Sequence, residues 1–415
     1  MTSYQDRNRL RSLAAEYAAI VNSDTMNARR EIWRLSNRLQ ERTVPFQIED
    51  NGSFFADLTP PTRCEGEVER DMELELLHAI TNHRLIDDDR VFPPYCGVSW
   101  QVSRPSMCPD LKIKKVPDST GRPLGYATNE PLADLANGLK QLRRDEFSVN
   151  REETYRRVEM AEKAFGDLLP VKIIGPHMLS AGTGLAHKAV TWMGMDNFYV
   201  AMIEQPENVH QFFDFIATES IEFLNWLEAE KLITPNHGEF YVGSGSCGYT
   251  DELPRRSVVG GDRFSPEDCW GFHEAQESVG LSAEQYGEFI HPYQRRTADR
   301  YGLVYYGCCE PVHAQWPVLK QFQNLRKVTV SPWCDQESIA ASVGRNVVLS
   351  RKPHPLKLCS PTFDAAAFEA HIRETLDIAK DNFVELIFRD TNPLNGSMKD
   401  RVAEACRIVR RLMDR

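Results

Sequence analysis

Residues 303–313 read Leu-Val-Tyr-Tyr-Gly-Cys-Cys-Glu-Pro-Val-His. Four apolar or aromatic residues predict a short buried strand, and Gly307 is followed at once by two thiols and a carboxylate, with an imidazole at His313. Such side chains bind soft metals and move protons. In parallel α/β sheets and barrels the reacting groups follow the carboxyl ends of strands, so chemistry is expected just after this one. Free cysteines are also common in plain cores, but burial alone does not call for Glu310 and His313 beside them.

Reading the residues after each apolar run extends the set. It adds Trp100 and Gln101; His177; Asp251 and Glu252 after a glycine-rich loop; His273, Glu274, Gln276 and Glu277; Trp333, Cys334 and Asp335; Arg351, Lys352 and His354; and Arg389 and Asp390. The loop, Gly243-Ser-Gly-Ser-Cys-Gly-Tyr249-Thr-Asp-Glu, has small residues at Gly243 and Gly245 that let backbone N–H groups approach a cofactor phosphate, although the Lys-Ser/Thr ending of a P-loop is missing. Zinc suits Cys308 or Cys309 together with Glu310, His273 or Glu277, because a catalytic site needs three such ligands and an open position. Glu274 and Glu277 are candidate acids, and Asp251, Glu252 and Lys352 candidate acids or bases. Trp100, Tyr249, Tyr306 and Trp333 are candidate walls of an aromatic pocket, with ordinary core packing as the alternative.

These groups converge only if the strands that carry them lie side by side. Eight strands are expected, at 92–102, 171–176, 239–243, 269–276, 303–306, 325–330, 346–350 and 383–388, alternating with helical patterns at 131–142, 151–167, 184–203, 206–231, from Ser282 on, 365–379 and after Lys399. No Gly-x-Gly-x-x-Gly turn opens a helix, so the order favours a (β/α)8 barrel of TIM type over an open doubly wound sheet. A hairpin is expected across 111–127. Residues 1–85 read as an N-terminal helical extension, with two helices broken near Asn22-Ser-Asp that offer a homodimer contact, and residues 86–415 as the barrel.

A chain of 415 residues with 41% hydrophobic and 26% charged residues has a full core, and its net charge of −11 argues against nucleic acid or anionic membranes as partners. No apolar run reaches spanning length and the opening residues lack an apolar h-region. The ten cysteines are therefore read as reduced thiols of a cytoplasmic enzyme.

Residues 281–294, Leu-Ser-Ala-Glu-Gln-Tyr-Gly-Glu-Phe-Ile-His-Pro-Tyr-Gln, resemble the segment of Ser-Pro-Glu type before Phe-x-x-Pro in the uroporphyrinogen decarboxylase superfamily, and the likeness covers most of 171–415. Tyr306-Gly-Cys308-Cys309 falls where the methyltransferase branch carries His-x-Cys-Gly, with Cys308 on the motif cysteine and Tyr306 in place of the histidine. Asp390 falls near another cysteine of that branch. Glu252 and His273 have the separation of two zinc ligands in corrinoid-dependent O-demethylases, with His237 at the position of a third. The Arg-Gln-Ala-Gly-Arg segment of the decarboxylase proper is replaced by Ser99-Trp-Gln-Val-Ser-Arg-Pro, which has Arg104 alone for a substrate with many carboxylates.

The resemblance implies a (β/α)8 barrel that moves a methyl group from a small donor, such as a methoxylated aromatic, to cob(I)alamin on a corrinoid protein. It also implies a zinc ion held by a set drawn from Cys308, Cys309, Glu310, His273, Glu252 and Asp390. Breaking an ether needs the departing oxygen to bind a metal or receive a proton, and Glu274 or Glu277 would supply the second. The alternative is a decarboxylase acting through Asp251, Glu252 or Lys352.

Overall fold

The computed structural model describes residues 3–413 except 51–53, 56–57, 118–122, 145, 177–183, 256–262 and 392–397; of 123 and 124 it describes the backbone alone. Two helices lead, Tyr4–Val21 (α1) and Asp24–Asn37 (α2). Each opens on a serine, Ser3 or Ser23, whose hydroxyl accepts a backbone N–H that helix geometry leaves without a partner. The apolar stripe of α1 (Leu10, Leu13, Ala14, Tyr17, Val21) is buried against Glu67–Leu85 (α3) and Arg151–Phe165 (α4).

Eight strands follow the α/β order: Phe46–Ile48 (β1), Cys96–Ser99 (β2), Val171–Ile174 (β3), Trp270–His273 (β4), Leu303–Tyr306 (β5), Leu325–Val330 (β6), Val348–Arg351 (β7) and Phe383–Phe388 (β8). Six of them form one parallel sheet in the order β1-β8-β7-β6-β5-β4, and β2 and β3 form a separate parallel pair.

A hairpin, Tyr241–Gly243 with Ser246–Cys247, buried from Val242 onward, shows that the sheet curls. A Cβ on Gly243 would stand 2.1 Å from the Phe272 ring of β4, and one on Gly245 would stand 2.4 Å from Ile387 of β8. Four strand spacings separate β4 from β8, roughly 19 Å in a flat sheet. Glycines two residues apart can touch both strands only if the sheet wraps around the hairpin. The positive φ values of Gly243 (131°) and Gly245 (83°) let the turn fold that tightly.

Side chains stand in for ladders at two joints. On the free edge of β1, the Asp89 carboxylate accepts the N–H of Phe46 and the Asp88 carboxylate that of Ile48, both at 2.9 Å. Between β3 and β4, Thr234 Oγ1 accepts the N–H of Gly175 at 2.8 Å, while the Asn236 amide both accepts from and donates to the backbone of Trp270. The described residues thus form an α/β half-barrel plus a two-stranded pair, where a fully laddered eight-stranded barrel was expected.

Two local expectations change as well, and a third holds. Residues 239–243 supply an arm of the antiparallel hairpin and not a parallel strand, because Gly243 turns the chain back at once. The stretch 1–85 is not helical throughout, since Phe46-Gln-Ile forms β1 and pairs with β8. The hairpin expected across 111–127 is present as Ile113–Pro117 with Pro123–Thr128; its turn lies outside the described residues. Among the described residues no helix is long and apolar enough to cross a membrane.

Gly243→Ala is expected to lower stability by about 1–3 kcal/mol in urea unfolding, through overpacking against Phe272. Gly344 shares a positive φ but has open space around it, so Gly344→Ala should cost the backbone strain alone, about 1–3 kcal/mol, to which Gly243→Ala adds its overpacking.

Candidate active site

Strand alternation sorts the side chains at this end of the sheet. Trp270, Phe272, Leu303 and Tyr305 pack together with Cys308 on the lumen side. Val304 and Tyr306 face the outer helices. Lys327, Thr329, Ser350 and Glu385 follow the lumen parity and are all buried. Lys327 Nζ reaches Glu385 Oε2 at 2.7 Å, Ser246 Oγ at 2.7 Å and the Cys247 carbonyl at 3.1 Å. Ser350 Oγ donates to the other Glu385 oxygen at 2.5 Å, and Lys352 Nζ donates to Tyr305 Oη at 2.8 Å and Ser350 Oγ at 2.6 Å. Burial works against the Glu385 charge, but Lys327 and Lys352 outweigh it and hold its pKa below the ordinary carboxyl value. Burial also lowers the Lys352 amine to about 7, with Glu385 opposing.

Toward the carboxyl ends of β4 and β5 lies a group of acids. Glu274 is buried, and burial followed by repulsion from Glu310 and Glu277 raises its pKa to about 8. Glu310 is also shifted upward by burial, although its carboxylate accepts the N–H groups of Ala275 (3.0 Å) and Cys308 (2.8 Å). Glu277 Oε1 meets His187 Nδ1 at 2.8 Å, on the helix Leu185–Met193 (α5), and this hydrogen bond raises the imidazole pKa. The second oxygen of Glu277 is buried with no hydrogen-bond partner among the described residues. His187 is half-exposed beside Tyr126 of the hairpin and Thr191. The arrangement is a neutral carboxyl group inside and a carboxylate–imidazole pair leading toward solvent.

The two thiols sit between this group and β8. Cys308 Sγ is 3.7 Å from Cys309 Sγ and 3.4 Å from Arg389 Nη1, whose guanidinium also meets Glu49 (3.1 Å) and Ser244 Oγ (3.1 Å). Cys308 is shifted up by the Cys309 contact and by burial, and Cys309 is shifted down by the same contact. Asp390 is near enough to Cys309 to oppose that shift.

Several candidates stand elsewhere. His273 turns outward: its Nε2 meets Thr297 Oγ1 at 2.9 Å, its ring packs against Tyr301 and Phe322, and burial lowers it to about 3. Tyr306 likewise packs outward on Tyr286 and Phe322. Asp251 is tied to Arg34 and Arg38, and Glu252 to Arg326 near the amino end of β6, opposite to the acid group. Gly243 and Gly245 are packed into the hairpin, and Tyr249 lies against a cluster that holds Trp33 and Ile387. Trp100 meets Tyr155 near the end of β2, whereas Trp333 is 64% exposed beside His354. His177 lies outside the described residues. Glu274, Glu277, Glu310, Cys308, Cys309, Asp390 and Lys352 are the candidates found at the carboxyl end.

A zinc set is not assembled there. Among the described residues no three His, Cys, Asp or Glu side chains are grouped to hold a metal ion. Cys308 is met by a guanidinium cation, and His273 faces the wrong side of the sheet. Sequence reasoning missed His187, Lys327, Glu385 and the pairing role of Arg389. Charged residues inside the strands Leu325-Arg-Lys-Val-Thr-Val and Phe383-Val-Glu-Leu-Ile-Phe were the available signal, since such groups need buried partners.

No family model matches the sequence, and no curated protein matches it. Among solved structures, a methyltransferase from Methanosarcina mazei is similar at a TM-score of 0.44 and 12% identity, over 82% of this chain and 85% of that one. At that degree of superposition it is a likeness only.

The raised Glu274 pKa fixes the sign of a stability effect. A carboxyl group that holds its proton more tightly when folded contributes stability fully below the unfolded pKa, near 4.5, and loses it as pH rises through about 8. Urea midpoints of the wild type relative to Glu274→Gln should therefore fall between these values and level off above them.

Proposed function

We propose that the chain is a methyltransferase that takes a methyl group from a small methylated donor, such as a methoxylated aromatic, and passes it to cob(I)alamin on a corrinoid protein. The eight strands are read as a (β/α)8 barrel whose two seams are closed by side chains. The observation that carries the reading is Glu274, a carboxyl group kept protonated near neutrality by burial and by the neighbouring Glu310 and Glu277. The sequence resemblance at 281–294 and at Cys308 supplies the reaction class.

Glu274 gives its proton to the departing ether oxygen as the methyl carbon passes to the acceptor. One carbon–oxygen bond breaks, one bond from carbon to the acceptor forms, the donor leaves as an alcohol, and Glu274 is left as a carboxylate. The Glu277–His187 pair, which reaches half-exposed ground, is the route by which a proton returns. No step passes through zinc, because the described ligands do not converge.

Decarboxylation is a second reading, favoured by Lys352 and Arg389, cations beside the lumen that suit a substrate carboxylate. There Glu274 would protonate the carbon that carbon dioxide leaves.

The test is methyl transfer to cob(I)alamin, followed by its absorbance. Glu274→Gln should lower kcat by about 10²–10⁴-fold, and wild-type activity should decline as pH rises through about 8. Chelators should leave the rate unchanged. Full activity in Glu274→Gln would reject the acid mechanism. Carbon dioxide release without any corrinoid would select the second reading.

A further inference from the structure

The charges around the lumen do not balance, and the imbalance has a direction. Lys327 is paired with Glu385 at 2.7 Å, and Arg389 with Glu49 at 3.1 Å. Lys352, 4% exposed, donates only to the hydroxyl groups of Tyr305 and Ser350, and among the described residues no carboxylate lies within ion-pair reach of it. When Lys352 is protonated, three cations therefore face two carboxylates. An ammonium group has three donors, of which two are used here, and the Nη2 donors of Arg389 have no partner among the described residues. A buried cation without a counter-charge is costly, and an arriving anion removes that cost.

The acids lie on the other side. Glu274, Glu277 and Glu310 follow β4 and β5, whereas Lys352 and Arg389 follow β7 and β8. Cys308 stands between, its backbone N–H on Glu310 and its thiol against Arg389. The site thus has a cationic pole and an acidic pole. We infer that Lys352 and Arg389 receive the anionic group of a small carboxylic-acid substrate and turn its reacting end toward Glu274.

This inference rests on the proposed function for the reacting end but stands apart from it in what it predicts about binding. Groups facing Lys352 are Tyr305 and Cys308 from the β5 side, Lys327 from β6, and Glu385 and Arg389 from the β8 side. Burial lowers the amine to about 7 when no anion is present, so a bound carboxylate draws a proton onto it above that pH.

Calorimetric titration of the full chain at pH 8 with benzoate and with benzamide, in two buffers of different ionisation enthalpy, is the test. Benzoate should bind at least about tenfold more tightly than benzamide and should take up protons; Lys352→Met should abolish the proton uptake and narrow the preference to what Arg389 alone sustains. These comparisons on the wild-type chain remain decisive if the variant does not fold. Equal affinity for the two compounds, no benzoate binding up to about 10 mM, or proton uptake that survives Lys352→Met would overturn the inference. Benzoate preference in a chain that transfers no methyl group would support this pole while rejecting the function above.

Discussion

The ion pair between Lys327 and Glu385 joins strands that are not neighbours. It spans from β6 to β8 across β7, and the same ammonium group grips Ser246 and Cys247 of the central hairpin. The rings of Trp33 on α2 and Trp270 on β4 also lie against it, at 5.1 and 5.5 Å. Both charges are fully buried, so desolvation is repaid only while every hydrogen bond is kept. Curvature of the sheet, depth of the hairpin and docking of α2 are thereby coupled to a single contact.

That coupling shapes the chemistry above it. With Glu385 committed to Lys327, Lys352 is left to hydroxyl partners, and its charge becomes the adjustable one. On the opposite side three carboxyl groups crowd together in a dry environment, which is the arrangement that keeps one of them protonated. Like-charge repulsion on one side and an unbalanced cation on the other both follow from burying more ionisable groups than find an opposite charge.

Period-two alternation explains why His273 and Tyr306 left the candidate site. Phe272 and Tyr305 face the lumen, so His273 and Tyr306, each one residue on, must face the helices. Both residues look functional in a linear reading because they end a strand next to charged groups. Their parity decides otherwise.

The alternation of apolar runs with helical patterns was enough to place β2 to β8 apart from the 239–243 segment, and the thiols and carboxylates at the ends of β4 and β5 and the lysine after β7 could be named from it. β1 escaped because three residues carry too little pattern, and its partner β8 lies more than three hundred residues away in the chain. Side-chain type and spacing thus determined which chemistry was available: acids, thiols and a lysine at strand ends. Only the tertiary structure decided that Glu274 is neutral, that Asp251 and Glu252 serve ion pairs at the far end, and that the glycine loop is core. Those outcomes depend on burial and on neighbours distant in sequence, and the local pattern of residues contains neither.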